Sequence, residues 1–343
     1  MNPILTFVVP CYNSEAYMSH CIDSLLRPGV TDVEVVVVND GSSDGTARIA
    51  DEYAERYPAQ VRAVHKKNGG HGLAINAGLA AATGTYFKVV DSDDWLDSGA
   101  LDEVLNLLRR LERDGDSLDI LITNFVYEKE GKRIKRAVSY RQALPRNRIF
   151  GWDETRSFRS WQYLLMHSIT YRTQLLRDCE LHVPEHSFYV DNYFAFIPLS
   201  RVHRLYYLDV DFYRYFIGRS DQSVNEKVMI GRIDQQININ MLMVEHLSAM
   251  HLTGALPRKL ERYMVHYAAL VTVVSSVLLI RDGSPESLAK KNALWKKIKG
   301  LNPAIYARMR RTPLGLLASR SNRGARVGMT VGYDIARMCV GFN

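Results

Sequence analysis

Residues 91–94 read Asp-Ser-Asp-Asp and close the apolar run Thr85–Val90. Three carboxylates in four residues repel one another, and burying any of them unpaired costs several kcal/mol. A hard divalent cation would resolve the conflict, because Mg2+ takes oxygen ligands and commonly uses one or two carboxylates plus substrate phosphates. Asp91 and Asp93 flank a single residue at the end of a strand, where side chains two apart point the same way. An acidic turn after a strand is equally a common solvated loop, so the spacing leaves both readings open. Lys88, inside the same run, either pairs with a carboxylate or faces solvent at an edge. His71 and His167 have no Ser or Asp partner at triad spacing and read as structural histidines.

The elements that must position this stretch alternate in period. Apolar runs at 4–9, 33–38, 61–65 and 85–90 read as buried strands, three of them rich in β-branched residues. Between them lie segments with helical spacing, the second of which is expected to be capped by Asp44 or Ser43. Strand and helix in alternation predict a parallel sheet with right-handed crossovers. The polar turns after the strands (Pro10 to Asn13, Asn39 to Gly41, Lys66 to Asn68, Asp91 to Asp94) then share the edge where such sheets bind ligands. Neither G-x-G-x-x-G nor G-x-x-x-x-G-K-[ST] occurs, so a dinucleotide fold and a P-loop are disfavoured.

The chain has 343 residues, 47% of them hydrophobic, enough for one large domain with an appendage or for two domains. It opens without a charged leader, a long apolar stretch or a small-residue cleavage site, which predicts a cytoplasmic protein. Cys11, Cys21, Cys179 and Cys339 are scattered, with no C-x-x-C pair, and are expected to be free thiols. From Leu118 the pattern becomes mixed strand and irregular loop. From about Val224 it reads as helix, broken near Pro257, Gly283, Pro303 and Pro313. Residues 264–280 form the longest apolar run, read as a buried helix at the low limit of what spans a bilayer.

The formal net charge of +7 is unevenly placed, for no Asp or Glu lies between Ser287 and Tyr333. Basic residues there mix with Trp295, Ile298, Leu301, Ile305, Tyr306, Leu314, Leu316 and Leu317, a composition suited to an anionic membrane surface, a solvated basic face or an oligomer contact. No nucleic-acid readout module is visible, and nucleic acid is not expected as a partner.

The strings VVPCYN, VVVVNDGSSDGT, NGGHGLAINAGLAAATGTYFKVVDSDDW and FYVDNYF resemble, in order, successive motifs of family 2 glycosyltransferases. The resemblance covers about the first 225 residues. It implies a GT-A fold, α/β and Rossmann-like, over residues 1–225, with a nucleotide-binding half (1–117) and an acceptor-side half (118–225), followed by a helical basic C-terminal region (226–343). It also implies that Pro10 and Tyr12 border the nucleobase and that Asp40, acceptor-only when ionised, takes a hydrogen bond from the uracil ring of a UDP-sugar. The alternative for Asp40 is a turn cap. Lys67 or Asn68 would lie near the base or ribose. By the same resemblance Asp91 faces ribose or metal, and Asp93 ligates Mg2+ or Mn2+. Asp94 either touches the donor sugar or caps the following helix.

Asp191 is then the expected general base for in-line, inverting displacement, or else a helix cap. Val190 departs from the family pattern, which often has Glu there. Arg219 and Gln222, with Ser223, resemble residues that close over the donor phosphates. The acceptor implied is a glycan or lipid-linked saccharide of cell-surface polysaccharide biosynthesis, handled at the inner face of the membrane. The rival readings are a catalytically silent scaffold with the same fold and a sugar nucleotidyltransferase, which should carry a Gly-rich, Arg-containing loop after the first strand.

Overall fold

A computed structural model describes residues 3–129, 135–217 and 225–340, with side chains to residue 333. The chain divides into two compact units, Met1–Ile217 and Gly218–Asn343. Arg219, Gln222 and Ser223 lie outside the described residues.

The first unit begins β1 (Leu5–Cys11), α1 (Met18–Leu25), β2 (Val33–Asp40), α2 (Thr46–Arg56), β3 (Val61–Lys66), α3 (Gly70–Ala81) and β4 (Tyr86–Val89). Every residue of β1, β2 and β4 is buried, as parallel strands covered on both faces must be. β1 pairs in parallel with β2 (Val8 opposite Val36) and with β4 (Val8 opposite Val89), and β2 pairs in parallel with β3 (Asp40 opposite Lys66). All four strands therefore end on one edge.

The remaining elements are β5 (Trp95–Leu96), α4 (Ser98–Arg113), β6 (Ile120–Lys129), β7 (Arg136–Val138), β8 (Ile149–Phe150), β9 (Ile169–Arg172), α5 (Thr173–Asp178), α6 (Val190–Phe196) and β10 (Leu205–Ile217). The sheet runs β3-β2-β1-β4-β9-β6-β10-β5, with β7 added beside β6 and β8 beside β10. β9 is antiparallel to both β4 and β6, so the alternating parallel pattern ends where the sequence pattern changes.

Helix caps differ in part from expectation. Asp97, not Asp94, caps α4 by accepting from the Ala100 amide at 3.1 Å. Gly45 is the N-cap of α2, while Asp44 accepts from the Thr46 and Glu15 amides and so ties that helix to the turn after β1. Tyr189 is the N-cap of α6, and Asp191 falls in its first turn.

The second unit comprises α7 (Glu226–Gly231), α8 (Ile233–Thr253), α9 (Arg258–Asp282), α10 (Pro285–Leu301), α11 (Pro303–Met309), α12 (Pro313–Ala318) and α13 (Arg323–Val340). α9 packs against each of the others and forms the core. It is apolar and long enough to cross a bilayer, yet 78% of its most apolar window is buried inside the protein. Its polar side chains are satisfied locally: Thr272, Ser275 and Ser276 each donate to the carbonyl four residues back. Trp295, Ile298 and Ile305 are buried in the unit's interior, with the Trp295 indole donating to Ser276 Oγ at 2.9 Å. Part of the basic tail's apolar content is thus internal, and Arg308 and Lys290 pair with Glu261 and Asp234.

Candidate active site

The turn after β2 is built around the Asp40 carboxylate, which is 2% exposed. One oxygen accepts from Lys66 Nζ and from the Gly69 amide at 2.9 Å, and the other accepts from the Gly70 amide at 2.7 Å. Three donors on a buried anion anchor the segment that opens α3. The Asn68 amide side chain closes the same turn by donating to the Asp40 carbonyl at 3.0 Å. Gly41 makes this approach feasible, since its φ is +70° and a Cβ there would lie 2.7 Å from the Asn68 nitrogen. Asp40 and Asn68 therefore come together, whereas Lys67 is exposed and its neighbour Lys66 makes the ion pair. The sequence reading placed Lys66 in the polar turn after the third strand but gave it no partner, although it stands opposite Asp40 in the register of β2 and β3. Pro10 is buried within β1, and Tyr12 projects beyond it with 57% exposure.

The acidic stretch leaves the adjacent β4. Asp94 is buried and fully engaged, its oxygens accepting from the Tyr213 hydroxyl at 2.6 Å and from the Phe216 amide at 2.7 Å. Burial, then the neighbouring Asp93 and Asp91, raises its carboxyl well above the ordinary range. It holds β10 in place. Asp91 Oδ1 is buried without a hydrogen bond and lies 3.5 Å from Nε2 of His71, in the first turn of α3. Burial pushes Asp91 up to about 7; His71 and Lys88 oppose the rise, and Asp191 and Asp93 add to it. Ser92 ties the stretch to the turn after β1 through Ser14, the two hydroxyls 2.8 Å apart.

Lys88 resolves as neither of the expected alternatives. It is wholly buried, and its Nζ donates to the carbonyls of His167 and Ile169 at 2.8 and 3.2 Å, facing the ring of Tyr213. Desolvation brings it down to about 7, with the Asp91 charge opposing that fall. His167, stacked on Tyr213 at 4.7 Å, is driven down to about 3 by burial and is neutral.

Ligand atoms of Asp91, Asp94 and His167 lie within 4.8 Å of one another. The hydrogen bonds to both Asp94 oxygens commit that residue to structure, while Asp91 Oδ1 and His167 Nδ1 are buried without hydrogen bonds. An uncommitted carboxylate oxygen beside Asp93 fits a hard divalent ion.

Asp191, in the first turn of α6, lies near enough to Asp91 for its charge to raise that carboxyl. The segment before α6 is fastened to α3: Asn76 donates to the Val183 carbonyl at 2.8 Å and accepts from its amide at 2.9 Å, and the His186 amide donates to the Gly69 carbonyl at 2.7 Å. Val190 is 1% exposed, so a Glu at that position would bury a carboxylate.

Comparison with known proteins agrees with this architecture. Residues 6–174 match the model of Glycosyl transferase family 2. An uncharacterised glycosyltransferase of Bacillus subtilis, EpsJ, is 28% identical over 302 residues, covering 85% of this chain and 83% of EpsJ. The fold superposes on S. aureus TarS 1–349 with a TM-score of 0.66 at 19% identity, over 98% of this chain and 91% of that one; TarS has also been solved with UDP-GlcNAc. The mannosyltransferase PcManGT of Pyrobaculum calidifontis, solved with GDP-Man and Mn2+, matches at a TM-score of 0.51 and 16% identity, over 96% and 87% of the two chains. Residues 6–174 thus belong to glycosyl transferase family 2, and the chain has the GT-A fold.

Proposed function

We propose that the chain transfers a sugar from a UDP-sugar to a hydroxyl of a glycan or glycolipid acceptor in cell-surface polysaccharide biosynthesis, with inversion at the anomeric carbon. The observation that carries this reading is that Asp191, in the first turn of α6, lies near enough to Asp91 for its charge to raise that carboxyl, at the edge of the sheet where Tyr12 and Asp40 also lie. In this reading Tyr12 offers an exposed ring to the base, and Asn68 and Lys67 line the nucleoside side. The acceptor hydroxyl gives its proton to Asp191 as its oxygen bonds to the anomeric carbon. The bond from that carbon to the diphosphate oxygen breaks on the opposite face, and its electron pair leaves with UDP. A divalent ion, Mg2+ or Mn2+, held by Asp91 and Asp93 would stabilise the charge that develops there.

The complexes of TarS with UDP-GlcNAc and of PcManGT with GDP-Man and Mn2+ support a nucleotide-sugar donor and a divalent ion. The second unit exposes Leu301, Leu314, Val327 and Val331 within a basic segment, which favours attachment to the cytoplasmic face of an anionic membrane.

The test is calorimetric titration with UDP and GDP, with and without Mn2+, on the wild type and Asp93→Ala. Metal-dependent UDP binding that Asp93→Ala abolishes is expected. GDP binding in its place would overturn the UDP assignment, and no binding of either would return the scaffold reading.

A further inference from the structure

Two buried atoms at the acidic edge of the sheet are left unsatisfied by the protein itself. Nε2 of His71 and Oδ1 of Asp91 stand 3.5 Å apart, and neither has a hydrogen-bond partner. Buried polar atoms in that state cost free energy, and they persist where the surrounding backbone holds them in place.

His71 is held by the glycines around it. The amides of Gly69 and Gly70 donate to Asp40. Gly70 has a φ of +81° and would bring a Cβ within 3.3 Å of the His186 backbone, and a Cβ on Gly72 would lie 2.2 Å from the Pro184 carbonyl oxygen. The turn that presents His71 is therefore packed closely against the segment leading to α6. Asp91 is pinned on both sides of its Cα: its amide donates to the Tyr213 hydroxyl at 3.1 Å, and its carbonyl accepts from the Asp94 amide at 3.0 Å and from the Cys21 thiol at 3.5 Å. Two ligand atoms so fixed are preorganised for a shared partner.

Their spacing points to the class of that partner. Two ligands of one ion, each about 2.0–2.2 Å from it, stand about 3–3.5 Å apart. An imidazole nitrogen beside a carboxylate oxygen suits a first-row transition ion better than Mg2+, which takes oxygen ligands. His167 is the rival: its ligand atom lies within 4.8 Å of those of Asp91 and Asp94, and its Nδ1 is buried without a partner. Its ring, however, is 4% exposed and stacked on Tyr213, whereas the His71 side chain is 30% exposed and accessible to an ion arriving from solvent.

We propose that His71 is a further ligand of the divalent ion held by Asp91, through Nε2 of its neutral ring, and that it turns the site's preference from Mg2+ toward Mn2+ and Co2+. The inference rests on the reading that Asp91 holds an ion.

The experiment uses the full chain without a histidine tag. Mn2+, Co2+ and Mg2+ are titrated alone and with UDP or GDP, the Mg2+ affinity being read by displacement of Mn2+. Wild type, His71→Ala and His71→Gln are compared after their thermal midpoints in chelator have been matched. Pulsed EPR of bound Mn2+ on the wild type, with and without isotopic labelling of histidine nitrogen, needs no variant at all. The wild type should bind Mn2+ and Co2+ about tenfold more tightly than Mg2+, and its Mn2+ should show coupling to an imidazole nitrogen that responds to the label. His71→Ala should lose that coupling and about tenfold in Mn2+ and Co2+ affinity, with Mg2+ affinity changed by about twofold at most. His71→Gln, which offers an oxygen instead, should bind Mg2+ as well as the wild type does but not recover Co2+ affinity.

Bound Mn2+ without nitrogen coupling, coupling that survives in His71→Ala, or equal losses of Mn2+ and Mg2+ affinity overturn the proposal. So does an unaltered metal preference in His71→Ala accompanied by weaker UDP binding in chelator, which would make the imidazole a phosphate contact. If the wild type binds no divalent ion under any of these conditions, the ion reading fails and the inference with it. If metal binds through His71 while neither nucleotide binds, the donor assignment alone fails.

Discussion

Nε2 of His71 and Oδ1 of Asp91 face each other at 3.5 Å, both buried and neither hydrogen-bonded. One belongs to the first turn of α3 and the other to the end of β4, so the pair joins the crossover helix to the strand it feeds. Burial, which the His71 charge opposes, governs how Asp91 responds to pH. With its carboxyl raised from 3.8 to about 7, the folded chain keeps a proton there that the unfolded chain releases across that interval. The stability this group contributes is therefore greatest at acid pH and is lost as pH rises through about 7. In chelator, the urea midpoint of the wild type relative to Asp91→Asn should fall as pH is raised across that window. A constant difference would refute the assignment.

Asp191→Asn preserves shape while removing a proton acceptor. Turnover should drop about 10²- to 10⁴-fold with UDP affinity unchanged. Loss of UDP binding in step with turnover would place Asp191 on the donor side instead.

Asn76 bonds both the amide and the carbonyl of Val183. Asn76→Ala leaves those groups without partners and should cost about 1–3 kcal/mol in urea unfolding. Limited proteolysis near residues 183–189 should quicken, and a variant as stable as wild type would show the clip to be dispensable.

Gly41→Ala places a methyl group 2.7 Å from the Asn68 nitrogen at a φ of +70°. A loss of about 1–3 kcal/mol is expected, together with weaker UDP binding as the Asp40 turn shifts. Unaltered UDP affinity would separate that turn from the nucleotide.

The parallel half of the sheet was legible in the sequence because its strands are continuous β-branched runs and its helices keep a helical period; β1 to β4 lie within a residue or two of the apolar runs. The helical breaks in the second unit followed proline and glycine for the same local reason. What stayed hidden depends on tertiary contact. Nothing near Lys88 in sequence announces the carbonyls of His167 and Ile169, about eighty positions away, that receive its ammonium. Asp94 read as a donor-sugar contact or a helix cap because its partners, Tyr213 and Phe216, come from a strand that folds back from the far half of the chain. His71 was set aside for want of a triad spacing, and only the packing of α3 over the sheet brings it to Asp91.

The commitment of Asp94 to Tyr213 and Phe216 means that neighbouring carboxylates of one tetrapeptide answer to different selective pressures. In the proposed reading Asp91 answers to sugar transfer, whereas Asp94 must persist for as long as β10 keeps its seat. A descendant of this chain that had lost transfer but kept its fold would retain Asp94. Alanine scanning across the stretch would likewise yield inactive proteins of two kinds, intact ones and loosened ones, that an activity assay alone would score as the same.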